Sequence, residues 1–405
     1  MNSDSRRPRV LLVSSVVPAL DRGGGCLALH RHFCERDDFE VAVASELARG
    51  STCPVRIELD TNRLVGRLRR YSRFLGNLKY VLPRPGVQRA VNRFAETWKP
   101  DLVFSVADDT HSLTGLHLAR QRGVPFVVYF QDLFAFSTFI PRTQRPYAWV
   151  GRRLVQRYRH LQRVSDAVFH TCSGMKDWFG EEAKGEILYA VGGEASQRSE
   201  REGGQSPEAR KIRLVYAGNC YGAYGRMILE LARALEGSSN LDLQVYAMGN
   251  DWPAKDVEYF ARRGVYLGYL PFGQLQERLL GADAFLITMG FEERDRTFVQ
   301  TSFPTKWCDY APFGRPIFVW APGYSSSARF ARETSGGVLV AEPSAHKLVE
   351  AIGQVFGNPG RVGEMSRAAR GLADHELNSH RLHGVLKNRL LSLCQGGVGP
   401  RGGES

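Results

Sequence analysis

The sequence predicts an α/β protein made of two Rossmann-like, doubly wound domains, each built on a parallel sheet and facing a central cleft. Three observations lead there. Short apolar, β-branched runs alternate with helix-like segments along most of the chain, the pattern of βαβ units and parallel sheets. The rhythm stops over residues 196–211, SQRSEREGGQSPEARK, a polar and charged stretch with nothing to bury, and then restarts. At 405 residues, the chain is long enough for two domains that each bury a core.

The elements follow in order. Residues 10–16 form an apolar first strand, closed by Asp21-Arg22-Gly23-Gly24-Gly25 and a helix-like segment over 26–36. Residues 41–44 are a second strand, and 101–106 a third after Lys99-Pro100. A helix over 113–122 and the break Gly123-Val124-Pro125 lead to residues 126–130, whose unbroken apolar run suits a strand buried on both faces. A strand at 167–170 and a helix from 173 close the first half. The second half places strands at 212–217, 241–247, 284–288, 316–320 and 338–340. Its helices fall at 226–235, 275–280, 348–356, 362–373 and 375–393. The boundaries are 1–195 for the N-terminal domain, 196–211 for the linker and 212–374 for the C-terminal domain. Residues 375–394 form a C-terminal helix that crosses back to the first domain, and 395–405 a flexible tail.

Composition narrows the class. The chain is 43% hydrophobic and 24% charged, ordinary for a globular protein. Seven cysteines lie far apart with no CxxC pair, which argues for reduced thiols in the cytoplasm and against a disulfide framework or zinc site. The opening MNSDSRRPRVLLVSS reads as a strand and not as a signal peptide, because its apolar run is short and lacks a small-residue cleavage pattern. No apolar run is long enough to span a bilayer, so a soluble or peripheral protein is expected.

Residues 301–320, TSFPTKWCDYAPFGRPIFVW, are the most informative stretch. A Pro304-Thr305-Lys306 turn runs into a helix start, Asp309 lies one turn on, and Gly314-Arg315-Pro316 break the helix before a buried strand. A helix N-terminus with a neighbouring lysine suits an anionic group such as a diphosphate. An acid a few residues later can accept hydrogen bonds from ribose hydroxyls.

That order of parts resembles the donor site of the GT-B glycosyltransferases, in particular the large retaining group often called family 4. The resemblance runs from about residue 9 to 393 and rests on several short matches in order. In the first half these are the strand followed by Gly23-Gly24-Gly25, Lys99-Pro100-Asp101-Leu102-Val103, Gly123-Val124-Pro125 with its strand ending in Gln131-Asp132, and Ser165-Asp166-Ala167-Val168 before Cys172-Ser173. In the second half, Val215-Tyr216-Ala217-Gly218-Asn219 resembles the opening strand and donor loop, and Leu267-Gly268-Tyr269-Leu270-Pro271 the base-contacting loop. Gly281-Ala282-Asp283-Ala284 is similar to the step from helix to buried strand. Many members carry two glutamates eight positions apart in the donor motif; this chain has Thr301 and Asp309 there. Of a common Arg…Lys pair, only Arg226 remains, and Lys306 replaces the lost charge.

The resemblance implies transfer of a sugar from a nucleotide diphosphate sugar to a glycan, glycolipid or metabolite, with retention of configuration. The first domain would then take the acceptor side and the second the donor. Stabilising the departing diphosphate calls for fixed donors in a water-poor cleft: backbone N–H groups at Gly23, Gly24 and Gly25, a helix N-terminus, Lys306 and Arg226. No cofactor and no metal is expected. His111, Asp132 and Lys306 are the catalytic candidates. Gly23, Gly24, Gly25, Gly218, Asn219, Arg226, Tyr269, Leu270, Thr301, Thr305 and Asp309 are the donor-binding ones. Trp320, Tyr324, Ser325, Ser326 and Ser327 are candidates for shaping the sugar pocket.

Each position has a plain structural alternative. The glycines can be a turn only, Lys306 a solvated side chain, and Asp309 an acid favourable to the helix dipole. His111 can be a surface histidine and Asp132 a cap. The pairs His30/His32 and His380/His383 read as solvent-exposed histidines in preference to metal ligands.

Net charge is +12, unevenly spread. Residues 63–93 carry nine arginines and lysines and no acid, interleaved with aromatic and aliphatic side chains, and 143–163 is again rich in arginine. With the apolar run 133–140 beside them, they suit an anionic membrane surface and a lipid-linked acceptor, at the inner face. A solvated arginine face is the alternative, and no nucleic-acid motif accompanies the charge. Two other functions stay open: a non-catalytic GT-B-like partner subunit that binds a nucleotide sugar, and a nucleotide-sugar epimerase of the same fold.

Overall fold

The computed structural model describes residues 6–59, 81–82, 84–107, 111–133, 135–136, 145–193, 211–237 and 240–396. They group into two compact units. The first comprises Met1–Ala190 with Thr301–Phe303 and Leu382–Ser405, the second Val191–Gln300 with Pro304–Arg381.

The first unit holds a seven-stranded sheet: β1 (Arg9–Val13), β2 (Glu40–Ser45), β3 (Val55–Glu58), β4 (Leu102–Val106), β5 (Phe126–Phe130), β6 (Ala167–His170) and β7 (Glu186–Ile187). Its order is β3-β2-β1-β4-β5-β6-β7, and neighbouring strands are parallel throughout. Every residue of β4 and β5 is buried, as strands covered by helices on both faces require. The helices are α1 (Gly24–Phe33), α2 (Pro85–Trp98), α3 (His111–Arg122), α4 (Arg145–Val164) and α5 (Ser173–Phe179). The strand order reverses between β1 and β4. The carboxyl ends of the strands at such a reversal are the usual ligand position in these sheets.

The second unit repeats the plan with β8 (Ile212–Ala217), β9 (Leu241–Tyr246), β10 (Tyr266–Gly268), β11 (Ala284–Thr288), β12 (Ile317–Trp320) and β13 (Val338–Val340), ordered β10-β9-β8-β11-β12-β13 and again parallel. Its reversal lies between β8 and β11. Around the sheet lie α6 (Gly222–Ala234), α7 (Ala254–Arg262), α8 (Phe272–Leu280), α9 (Arg296–Thr301), α10 (Lys306–Tyr310), α11 (Ser326–Thr334), α12 (Ala345–Phe356) and α13 (Pro359–Asp374). Gly314 stands at φ 58°, a left-handed turn that ends the short helix before β12, where the Gly-Arg-Pro break is expected. The last helix, α14 (Ser379–Gln395), has its residues from Leu382 grouped with the first unit.

Several expectations need correction. His30, His32 and His383 are not solvent-exposed; they are 9%, 1% and 4% exposed, and His32 stacks on His383 at 5.6 Å. Trp320 is fully buried and donates its indole N–H to the Glu342 carbonyl at 2.8 Å, so it is core and not pocket wall. Ser325 caps α11 by accepting the Ala328 N–H, and Ser326 and Ser327 are buried beside it. Of the apolar run 133–140, Leu133 and Ala135 are buried, while 134 and 137–140 lie outside the described residues. Most of the basic stretch, residues 63–80, also lies outside them, as do 194–195 and residues 196–210 of the expected linker.

Candidate functional site

In the second unit, the site begins where β8 ends. The Ala217 N–H donates to the Tyr310 hydroxyl at 2.8 Å, and the Tyr216 hydroxyl donates to the Asn219 carbonyl at 2.5 Å. These bonds fix a turn at Gly218 and Asn219. Lys306, the first residue of α10, reaches into that turn. Its ammonium lies 4.9 Å from the Tyr216 ring centroid, and a Cβ on Gly218 would fall 2.6 Å from its Nζ. Gly218 is therefore what lets a cation approach the backbone at the sheet's reversal point. Burial pushes the Lys306 amine down to about 8, against the opposing pull of Cys220 and Asp309. Asp309 sits half-buried in the same turn of helix, and Thr305 stands at its N-cap.

The helix itself contributes less than the sequence suggests. The N–H groups of Trp307, Cys308 and Asp309 already donate to the carbonyls of Pro304 and Thr305. At α6 the Gly222 N–H donates to the Asp251 carboxylate at 2.8 Å. A carboxylate thus already occupies the start of that helix. Arg226 pairs with Glu292, which also holds Arg294 at 2.5 Å, so its charge is engaged within the protein. Tyr269 and Leu270 follow β10 at the same carboxyl edge, Tyr269 44% exposed.

The first unit gathers a second set at its own carboxyl edge. His111, the first residue of α3, is fully buried and meets Glu46, which directly follows β2. Glu46 also accepts from the Ser15 hydroxyl at 3.0 Å. Burial would raise the Glu46 carboxyl, but the His111 bond and charge outweigh it and hold it down to about 2. Residues 108–110, which precede His111, lie outside the described residues. Gly23 begins α1 at φ 37° with no side-chain cap, and the Gln131 amide donates to the Gly25 carbonyl at 3.3 Å. Asp132 leaves β5 and accepts from the Ser302 hydroxyl at 2.6 Å. Surrounding protein pushes its carboxyl up to about 6, with the Ser302 bond pulling the other way. Thr301 is buried, and its carbonyl accepts from the Cys172 thiol at 3.4 Å.

The structure thus brings Gly218, Asn219, Lys306 and Asp309 into one neighbourhood, and Gly25, Gln131, Asp132 and Ser302 into another. Sequence reasoning missed Glu46, Ser15, Gln131, Ser302, Tyr216 and Tyr310 as working parts. Glu46 had a readable signal, an acid at a strand's carboxyl end. Among the described residues, no three His, Cys, Asp or Glu side chains are grouped to hold a metal, and no helix is long and apolar enough to cross a membrane.

Residues 27–185 match the family model described as a glycosyl transferase 4-like domain. No curated protein matches the chain. Among solved structures, sucrose-phosphate synthase of Thermosynechococcus elongatus is similar over 96% of this chain and 100% of its own, with a TM-score of 0.64 and 14% identity. Anabaena HepE in complex with UDP covers 95% of this chain and 100% of its own, with a TM-score of 0.61 and 13% identity. WaaG, a glycosyltransferase involved in lipopolysaccharide biosynthesis, covers 94% of this chain and 99% of its own, with a TM-score of 0.57 and 15% identity. The resemblance read from the sequence is borne out: the chain has the two-domain α/β fold of the GT-B glycosyltransferases, and residues 27–185 match their 4-like family domain.

Proposed function

We propose that the protein is a glycosyltransferase that moves a sugar from a nucleotide diphosphate sugar to a glycan, glycolipid or small-molecule acceptor, with the anomeric configuration retained. The observation that carries this reading is the Lys306 ammonium seated against Gly218 at the reversal point of the second sheet. As the bond from the anomeric carbon to the diphosphate breaks, negative charge grows on the departing phosphate oxygen. A fixed cation in a partly desolvated turn stabilises that charge more than it stabilises the ground state. Lys306 is that cation, and Asp309, one turn on, takes the ribose hydroxyls. HepE, solved in complex with UDP-glucose, supports a nucleotide sugar and makes uracil the first base to test.

His111, held by Glu46, and Asp132 are the acceptor-side candidates. Asp132 with a carboxyl near 6 is poised to exchange a proton with an acceptor hydroxyl near neutral pH. The exposed arginines of α4, Arg152, Arg153, Arg159 and Arg163, with half-exposed Trp149, suit an anionic membrane surface that presents a lipid-linked acceptor.

A second reading, a nucleotide-sugar-binding protein without turnover, is favoured by two observations. Arg226 is already paired with Glu292, and Thr301 places no carboxylate in the donor motif. Thermal-shift titration with nucleoside diphosphates and their sugars tests the donor site in wild type and Lys306→Ala. A ligand at a hundred times its dissociation constant stabilises the fold by about 2.7 kcal/mol. Stabilisation by one base, lost in Lys306→Ala, supports the site. Release of nucleoside diphosphate only when an acceptor is present then separates transfer from binding alone. No stabilisation by any ligand would remove the reading.

A further inference from the structure

Away from both sites, two cysteines meet. Cys34 follows α1, and Cys53 lies between the short turn Ala48–Gly50 and β3; their sulfurs are 2.9 Å apart. The loop holding Cys53 is pinned by the Thr52 N–H to the Pro18 carbonyl at 2.9 Å and by the Cys53 N–H to the Ser51 hydroxyl at 3.2 Å. Cys34 is half-buried and within reach of a small solute, whereas Cys53 is 1% exposed.

His30, one helical turn before Cys34, completes the arrangement. The Thr52 hydroxyl donates to the Pro18 carbonyl at 3.2 Å, so its oxygen accepts at 2.7 Å from His30 Nδ1–H. His30 Nε2 faces the Glu35 carboxylate at 3.4 Å, which accepts its proton. Both ring nitrogens then carry hydrogen, and the ring is an imidazolium. Its value, raised to about 9 by bonds to Cys34 and then Glu35, agrees. The Cys34 thiol is held below the ordinary range, chiefly by the Cys53 hydrogen bond and, against burial, by the neighbouring His30. Cys53 is driven the other way, by Cys34 and by burial. Cys34, the more exposed sulfur and the one beside His30, is therefore the nucleophile, and Cys53 is the buried thiol in contact with it.

We propose that Cys34 and Cys53 form a reversible oxidation site, in which hydrogen peroxide oxidises Cys34 and Cys53 resolves the product to a disulfide. The Cys34 thiolate attacks the peroxide O–O bond, giving a sulfenic acid and hydroxide, which takes a proton from solvent. The Cys53 sulfur then attacks the sulfenic sulfur; an S–S bond forms, the S–O bond breaks, and the Cys53 proton leaves with the hydroxyl as water. Two thiols lose two electrons, and the peroxide is reduced to two waters. The site lies at the far end of α1 from Gly23, so oxidation ties that helix to the loop before β3.

The test uses the full chain and hydrogen peroxide. Cleavage after Arg31, Arg36, Arg49 and Arg56 puts Cys34 in peptide 32–36 and Cys53 in peptide 50–56. Expected is a cross-link between these two peptides, lighter by two hydrogens, that dithiothreitol abolishes. In Cys53→Ser, dimedone should trap a sulfenic acid on Cys34. Cys394, half-buried with its thiol pushed up to about 11, serves as the internal comparison. If peroxide leaves Cys34 and Cys53 as open to iodoacetamide as Cys394, or joins Cys34 to any other cysteine, the proposal fails. The wild-type mapping decides even if the serine variant does not fold.

Discussion

Lys306 shows what the candidate site costs the fold. Its amine lies at about 8, below the ordinary 10.5, because the turn around it withdraws water. Between those values the unfolded chain holds more protons than the folded one, so stability rises with pH across that interval. The penalty is fully present below about pH 8. Lys306→Met should therefore stabilise the unliganded protein at pH 7 by on the order of 1 kcal/mol given the side chain's partial exposure, raising its melting temperature, and flatten the rise above pH 8. The same variant should lose its stabilisation by nucleoside diphosphate. A variant less stable than wild type would show that Lys306 is a structural lysine. Asp132 has the opposite sign. Its carboxyl at about 6 lies above the ordinary 3.8, so the folded state holds more protons in between, and stability falls as pH rises through that window. Asp132→Asn should abolish that fall. Ser302→Ala should shift the window upward, because the Ser302 hydroxyl favours the carboxylate; melting curves from pH 4 to 8 read both. Lys306 and Asp309 were legible as residues because they share one short motif with a turn signal. Glu46 was readable as an acid at a strand end, but its pairing with His111 was not, because the two stand 65 positions apart and only the sheet brings them together.

At the scale of elements, the exit turn of β8 makes the sharpest prediction. A Cβ on Gly218 would stand 2.6 Å from the Lys306 ammonium. The steric obstacle is the end of a flexible side chain, and φ 155° adds backbone strain for any L residue, so Gly218→Ala should lower stability as well as displace Lys306 from the turn. Nucleoside diphosphate affinity should drop about tenfold, roughly 1.4 kcal/mol, by isothermal titration. Unchanged affinity would mean that Lys306 does not meet the diphosphate in this turn. The strands that were legible are those with unbroken apolar runs, such as β5, β11 and β12, all of whose residues are buried. Edge strands β3 and β10 were not, because one side of an edge strand faces solvent and β3 reads Val-Arg-Ile-Glu. Helix α4 was hidden by its arginines. Its inner face, Val150, Leu154, Tyr158 and Leu161, repeats at helical spacing and is fully buried, yet the exposed Arg152, Arg153, Arg159 and Arg163 set its apparent character.

At the scale of the whole chain, the doubled βαβ rhythm made two units legible, since each sheet needs its own run of apolar strands. A last helix crossing back to the first domain was an expectation of the sequence; what composition could not show is which residues hold it there. Leu382, Leu386 and Leu390 repeat every four residues and are buried, and the polar partners between them are equally specific. The Asp38 carboxylate accepts from His383 Nε2 at 2.7 Å and from the Lys387 ammonium at 2.5 Å, and His383 stacks on His32. Asp38 ionises below the ordinary range: those two bonds and charges outweigh the opposing effect of burial. Ending the chain at Arg381 removes all of these at once. Exposing the surface that three leucines cover costs on the order of 5 kcal/mol, comparable with the entire stability of a small domain. It also leaves His32 without its stacking partner. The truncated chain should lose protection in β1 and β2, the strands flanking His32 and Asp38, while β8, β11 and β12 of the second unit keep theirs. Amide hydrogen exchange followed by mass spectrometry resolves the two sets. His383→Ala should reproduce a smaller part of the same loss, confined to the same strands. Equal deprotection of both sheets would mean that the two units unfold as one cooperative body, and protection unchanged in both would mean that α14 is a passenger on the first.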